Sequence, residues 1–208
     1  MPLILANRYT LSQHGLSVAD MAAMMIRLDQ ETMPMLSPSE IGNANQWAPL
    51  LETPFSLWGA VLNEKHLLGY FHFLLPNPTA ISDLISGGLK EGELTTAHLN
   101  SDLVGTHDLY LTQITLLRNS QSFPMMVADL SEQVYKHAQQ STFFNTIWLR
   151  VCSAAGLRFS NRLGFKEYPL DTSRLMARNA PMLELLNRLS APRYLEISKL
   201  YLANRGCP

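Results

Sequence analysis

The chain has 208 residues, 16 of them basic and 17 acidic, for a formal net charge of -1. That length suits one domain with a sizeable core, and a balanced charge supplies no field to draw in a phosphate backbone, so no nucleic-acid partner is expected. Only 16% of residues are charged, no apolar run approaches a spanning helix, and the two cysteines, Cys152 and Cys207, lie too far apart for a disulfide framework or a zinc cluster. These features predict a soluble, cytoplasmic protein that binds no metal and no membrane.

A short strand is expected at Tyr9–Leu11. Val18, Met21, Ala22, Met25 and Ile26 then share one helical face over Val18–Leu28. Ser17 precedes this helix and Asp20 follows three residues later, the pattern of a capping box. Pro34, Pro38 and Pro49 mark an irregular stretch with a short helix near Glu40. Ser56–Leu62 alternates as a strand, Asn63–His66 reads as a turn, and Leu67–Leu75, apolar on both faces, reads as a central partner strand. Gly69 inside that strand predicts a bulge or a close backbone approach.

Residues 76–107 carry little periodicity beyond a helical turn at Ile81, Leu84 and Ile85, closed by Gly87 and Gly88. Asp108–Leu117 is a strand rich in Leu, Tyr, Thr and Ile. A polar loop, Arg118–Phe123, leads to a helix whose face is Val127, Leu130, Val134 and Ala138. Thr146–Cys152 is the next strand. A helix over Ala154–Leu163 follows, closed by Gly164. Phe165–Tyr168 starts a further strand, Met182, Leu185, Leu186 and Leu189 form a helix face, and Tyr194–Leu202 reads as a final strand. Strands and helices in this order predict a mixed α/β (α+β) domain, with a right-handed parallel crossover from Asp108 to Cys152.

One segment in this frame carries a resemblance. Gly156-Leu-Arg-Phe-Ser-Asn-Arg-Leu-Gly-Phe165, a short helix after a β-α-β unit and before a strand, is similar to the F/L-Y-E-K-L-G-F signature of the GNAT acyl-CoA N-acyltransferases. The hairpin ending in Leu67-Leu-Gly-Tyr70 and the segment Glu196-Ile-Ser-Lys-Leu200 resemble strands of the same family. The resemblance spans residues 8 to 202 and implies a single GNAT-like domain over 1–208, with insertions at 76–107 and 170–192 that shape the acceptor site.

The resemblance further implies transfer of an acyl group, acetyl in the first instance, from acetyl-CoA or another acyl-CoA to a small-molecule or peptide amine. The amine attacks directly in a ternary complex. The family binds the CoA pyrophosphate with a Q/R-x-x-G-x-G/A loop at a helix N-terminus, where small residues let backbone N–H groups approach phosphate. The matching stretch here is Gln121, Ser122, Phe123, Pro124, Met125 and Met126. It keeps the glutamine, loses an N–H at Pro124 and gains bulk at Met126. Met125 and Met126 also suggest an acyl pocket suited to a chain longer than acetyl.

The family's acidic tyrosine falls on Ser160, whose hydroxyl could hydrogen-bond the sulfur. Its pantetheine-contacting asparagine falls on Ser153. The backbone N–H groups that bind the thioester and pantetheine fall on Leu116 and Leu117. His72 titrates near neutrality and Tyr110 lies on the fourth strand, which makes both candidates for proton transfer, against the plainer reading of each as core. Two other readings stay open: a non-catalytic module of the same fold, and a transferase using a different acyl donor. The fold also leaves room for a homodimer paired through the last strand.

Overall fold

The computed structural model describes residues 2–64, 66–117, 121–151, 153–168 and 176–205. Seven strands form one sheet in the order β1-β2-β3-β4-β5-β7-β6, with only β4 and β5 parallel. They are β1 (Leu3–Ala6), β2 (Ser56–Asn63), β3 (His66–Leu74), β4 (Gly105–Leu116), β5 (Thr142–Val151), β6 (Lys166–Glu167) and β7 (Met176–Pro181). Helices α1 (Val18–Thr32), α2 (Pro38–Ile41), α3 (Ala44–Glu52), α4 (Pro78–Ser86), α5 (Ser122–Gln139), α6 (Ala154–Arg162), α7 (Met182–Arg188) and α8 (Tyr194–Arg205) complete the order.

Alternation along β2 divides the core in two. Leu57 and Val61 point into a cluster with α5, α7 and α8, while Trp58, Ala60 and Leu62 point into a cluster with α1 and α3. Each strand residue packs on one side only, because successive side chains leave opposite faces of a sheet. The result is three layers, helix on sheet on helix.

Helix α1 starts where the sequence places it. Ser17 Oγ accepts from Asp20 N at 3.1 Å, and Asp20 Oδ2 accepts from Ser17 N at 2.9 Å. The central hairpin pairs as expected, with Leu68 as the extra residue beside Gly69. A Cβ on Gly69 would stand 2.8 Å from Thr115 O, so the glycine lets β3 and β4 approach closely. The parallel crossover runs β4-α5-β5. Gly164 closes α6 at φ +83°, a conformation that side chains disfavour.

Three segments differ from expectation. Tyr9–Leu11 is a turn rather than a strand: Tyr9 N donates to Asn7 Oδ1 at 2.9 Å and Asn7 N to Thr10 Oγ1 at 3.0 Å, which bends the backbone, and the first strand is Leu3–Ala6 instead. Tyr194–Leu202 is helical, not a strand. Ile197 and Tyr201, four apart, bury one face, and the Tyr201 hydroxyl accepts from Phe144 N at 2.7 Å. The last segment therefore offers no strand for pairing across a dimer. Met176–Pro181 is the unexpected strand, inserted between β5 and β6. Among the described residues, no helix is long and apolar enough to cross a membrane, and no group of His, Cys, Asp and Glu could hold a metal ion.

Candidate functional site

The sheet opens in its middle. β4 and β5 are paired from Gly105 and Thr142 up to Tyr110 and Trp148. The Asp108 carboxylate fastens the end of the paired region, accepting from Thr146 N at 3.1 Å and Trp148 Nε1 at 3.0 Å. Beyond this point β4 continues to Leu116 against β3, and β5 to Val151 against β7. An open cleft of about 440 Å³ lies where they part, between Leu111–Leu116 on one side and Leu149–Val151 with α6 on the other. Thr112 is an extra residue on β4 relative to β3, and such bulges bend the strand that carries them.

The direction of the β4 amides follows from one bond. Leu117 N donates to Leu68 O at 2.8 Å, so the Leu117 N–H belongs to the β3 side. Alternation then turns the N–H groups of Leu116 and Ile114 toward the cleft. Ile114 N meets Gln113 Oε1 at 3.1 Å, a side chain folded over its own strand. The donor pair facing the cleft is thus Ile114 and Leu116, which corrects the predicted pair of Leu116 and Leu117.

The predicted side chains are placed as follows. Ser160 lines the cleft but donates its proton to Leu157 O at 3.0 Å within its own helix. Ser153 also lines the cleft and caps α6, accepting from Gly156 N at 3.0 Å. His72 is buried with both ring nitrogens engaged, Nε2 with Ser56 Oγ at 3.0 Å and Nδ1 with Thr112 Oγ1 at 2.8 Å. Burial pushes its pKa down to about 3, so it is a neutral core histidine at physiological pH and not a poised base. Tyr110 is fully buried, pointing away from the cleft to donate to Glu91 Oε1 at 2.7 Å.

Of the expected phosphate loop, Gln121 is the residue before α5 and Phe123 lines the cleft, in edge contact with Phe159 at 6.3 Å between ring centroids. Pro124 is exposed in the first turn and Met125 is half-buried against the core. Met126 is a core residue and does not line the cleft. Ser122 is buried, and its Oγ has no hydrogen-bond partner among the described residues. Arg118–Ser120 and Cys152 lie outside the described residues.

Past Thr112 and Gln113 the cleft continues into a chamber between α1, α2 and the turn Glu91–Glu93. Its walls are largely apolar, from Met33, Leu36 and Trp47, yet it holds the carboxylates of Asp29, Glu40 and Glu91. Asp29 accepts from Tyr70 OH, from Gln113 Nε2 at 3.1 Å and from Thr115 Oγ1 at 3.4 Å. Burial outweighs these donors and raises its pKa to about 6. Glu91 is raised further, to about 8: burial dominates, and the Tyr110 hydrogen bond and the Arg150 charge only partly offset it. Two titratable groups with displaced pKa values beside a cleft are the ordinary ingredients of proton transfer.

Sequence reasoning passed over all of these groups. Asp29 had a signal, since it sits four residues after Met25 on the apolar face of α1. Glu91 had one only in its neighbour. A Cβ on Gly92 would stand 2.4 Å from Ser39 O, so only glycine brings this turn against α2 and Glu91 into the chamber. Arg150, whose Nε is buried without a hydrogen-bond partner among the described residues, stands where the chamber meets the cleft.

No family model and no curated protein matches the sequence. Solved structures do match the fold. An acetyltransferase of the GNAT family from Desulfovibrio desulfuricans superposes with a TM-score of 0.50 at 14% identity, covering 86% of this chain and 99% of its own. Aminoglycoside 6'-acetyltransferase type Ii gives 0.48 at 11% identity, covering 87% and 97%. The ribosomal-protein-S18-alanine N-acetyltransferase from Escherichia coli gives 0.46 at 13%, covering 87% and 94%. This chain's seven-stranded mixed sheet is flanked by helices, and its match to the first of these gives it the GNAT acetyltransferase fold.

Proposed function

We propose that this protein transfers an acyl group from acyl-CoA to an amine, on a small molecule or a peptide. The observation that carries the reading is the parting of β4 from β5, with the N–H groups of Ile114 and Leu116 turned to the open side. Acyl-CoA supplies the activated thioester as a substrate. The Leu116 N–H, and the Ile114 N–H once the Gln113 side chain is displaced from it, suit its amides and its carbonyl, since fixed backbone donors stabilise charge that develops on oxygen. The N-terminus of α5, an 18-residue helix, suits the phosphates. Pro124 lacks an N–H there, and the buried Ser122 Oγ in the same first turn does not line the cleft.

The amine approaches through the acidic chamber. The ionised carboxylates of Asp29 and Glu40 favour a protonated amine on entry, and the nucleophile must then lose a proton. Glu91 is the base in this reading. Its pKa of about 8 is well matched to an ammonium group, and the Tyr110 hydroxyl holds it in place. The ammonium first gives one proton to the ionised Glu91 carboxylate. The neutral amine nitrogen then bonds to the acyl carbon, the carbon–sulfur bond breaks, and the second amine proton goes to the departing sulfur, so that CoA leaves as the thiol. Asp29 is a second carboxylate within the same chamber.

The missing donor at Pro124 favours a second reading, a module of the same fold that binds a ligand without turnover. One experiment separates the two. The protein is titrated with free CoA and acyl-CoAs while its melting temperature is followed, and CoA thiol release is then measured with a panel of amines. A saturable rise in melting temperature and amine-dependent thiol release support transfer. Binding without release supports the module, and no response to any CoA species sinks the acyl-CoA reading.

A further inference from the structure

Behind the cleft, on the α5 side of the sheet, is a second and wholly apolar void. Phe71, Leu111, Ile114, Met126, Val127 and Leu130 are among its walls, and no residue around it is charged or polar. Leu111, Ile114, Phe123 and Phe159 line both this void and the cleft, so the two adjoin across these side chains. Its volume is about 20 Å³, roughly enough for one or two groups the size of a water or a methylene. A void without polar partners does not hold water stably, but it can accept hydrocarbon.

Its position relates it to the reacting end of the donor. Leu111 flanks the Thr112 bulge, where the cleft meets the acidic chamber and where an amine can reach a thioester. We infer that this void receives the end of the donor's acyl chain, and that the preferred donor carries three or four acyl carbons rather than two. The inference rests on the acyl-CoA reading of the cleft. Two carbons stay in the cleft at the carbonyl, and the next one or two pass between Leu111 and Ile114 into the void. A chain much longer than that meets the buried wall at Leu130.

The test is calorimetric titration of the full chain with free CoA and with acetyl-, propionyl-, butyryl- and octanoyl-CoA. Burying each added carbon should tighten binding about fourfold, so propionyl-CoA exceeds acetyl-CoA, butyryl-CoA exceeds both, and octanoyl-CoA falls back. Val127→Leu places one more carbon in the void and should drive the butyryl-to-acetyl affinity ratio toward one. This small change suits an underfilled site, and its folding is checked by the variant's affinity for free CoA. Free CoA binding with a flat or descending acyl series overturns the inference and leaves the acyl-CoA reading standing. An unchanged ratio in Val127→Leu overturns it as well. No binding of free CoA or of any thioester removes the acyl-CoA reading and this inference together.

Discussion

Replacing Glu91 by Gln should stabilise the fold at alkaline pH while lowering activity. The side chain keeps an acceptor for the Tyr110 hydroxyl, 2.7 Å away, and loses only its charge. In the folded chain the carboxyl titrates at about 8 against an ordinary 4.5, chiefly because it is buried. A folded pKa raised above the unfolded one means that the stability this group allows is fully present below about pH 4.5. It is lost as pH rises through about 8. At 1.36 kcal/mol per pKa unit the ceiling on that loss is ~5 kcal/mol, and relaxation around the charge makes ~2 kcal/mol a fair floor. Urea unfolding of both proteins at about pH 5, 7 and 9 isolates the effect, since every other titrating group cancels in the difference. Near pH 5 the two should agree within ~1 kcal/mol, and by pH 9 the Gln variant should lead by ~2–5 kcal/mol. A difference that stays constant across this range would refute the buried-carboxyl argument and remove the physical basis for Glu91 as the base.

Other substitutions probe the same site from its supports. Tyr110→Phe removes a hydrogen bond that lowers the Glu91 pKa, so the rising limb of the pH–rate profile should move to higher pH; an acid shift would contradict the assignment. Gly92→Ala forces a Cβ against Ser39 O and should displace Glu91. The expected result is a drop in kcat larger than any loss in CoA affinity, measured by steady-state kinetics and calorimetry. His72→Ala strands the Ser56 and Thr112 hydroxyls and opens a hole beside Trp47. It should cost ~2–4 kcal/mol in chemical denaturation without altering the shape of the pH–rate profile, whereas loss of the rising, acid-side limb would restore His72 as a base.

Much of the architecture was legible because hydrophobic period reports burial directly. Met21, Ala22 and Met25 of α1, Val134 and Ala138 of α5, and the doubly apolar β3 are buried where their spacing puts them. The pattern fails where few side chains carry it. β7 presents only a short run, Met176–Pro181, with Arg178 and Asn179 in it, and its pairing depends on partners distant in sequence. In α8 the exposed Leu195 and Leu202 blur the face made by Ile197 and Tyr201. The site was harder still. Its donor groups are backbone N–H groups, which any residue but proline supplies, and only the register against Leu68 says which ones face the cleft. His72 shows the limit for side chains. Its partners lie sixteen residues before it and forty after, and they decide whether the imidazole is a base or a filled core position.

The organisation of the site comes down to how β4 handles its extra residue. Without a bulge, Leu111 and Ile114 would fall on opposite faces of the sheet, because three steps along a strand reverse the side. Thr112 absorbs one step, so Leu111 and Ile114 both pack toward α5, while Gln113 and Thr115 both reach Asp29 beneath α1. One strand therefore presents hydrocarbon to one layer and hydrogen-bonding groups to the other, with the N–H groups of Ile114 and Leu116 in the plane between. In the proposed reaction those faces are the acyl side and the amine side, and the thioester carbonyl lies at the strand edge where they meet. The same bulge bends β4 away from β5 and holds His72 through the Thr112 hydroxyl. The buried histidine is thus a structural support of the opening, which explains how a titratable residue can sit beside the proposed reactive centre without serving it.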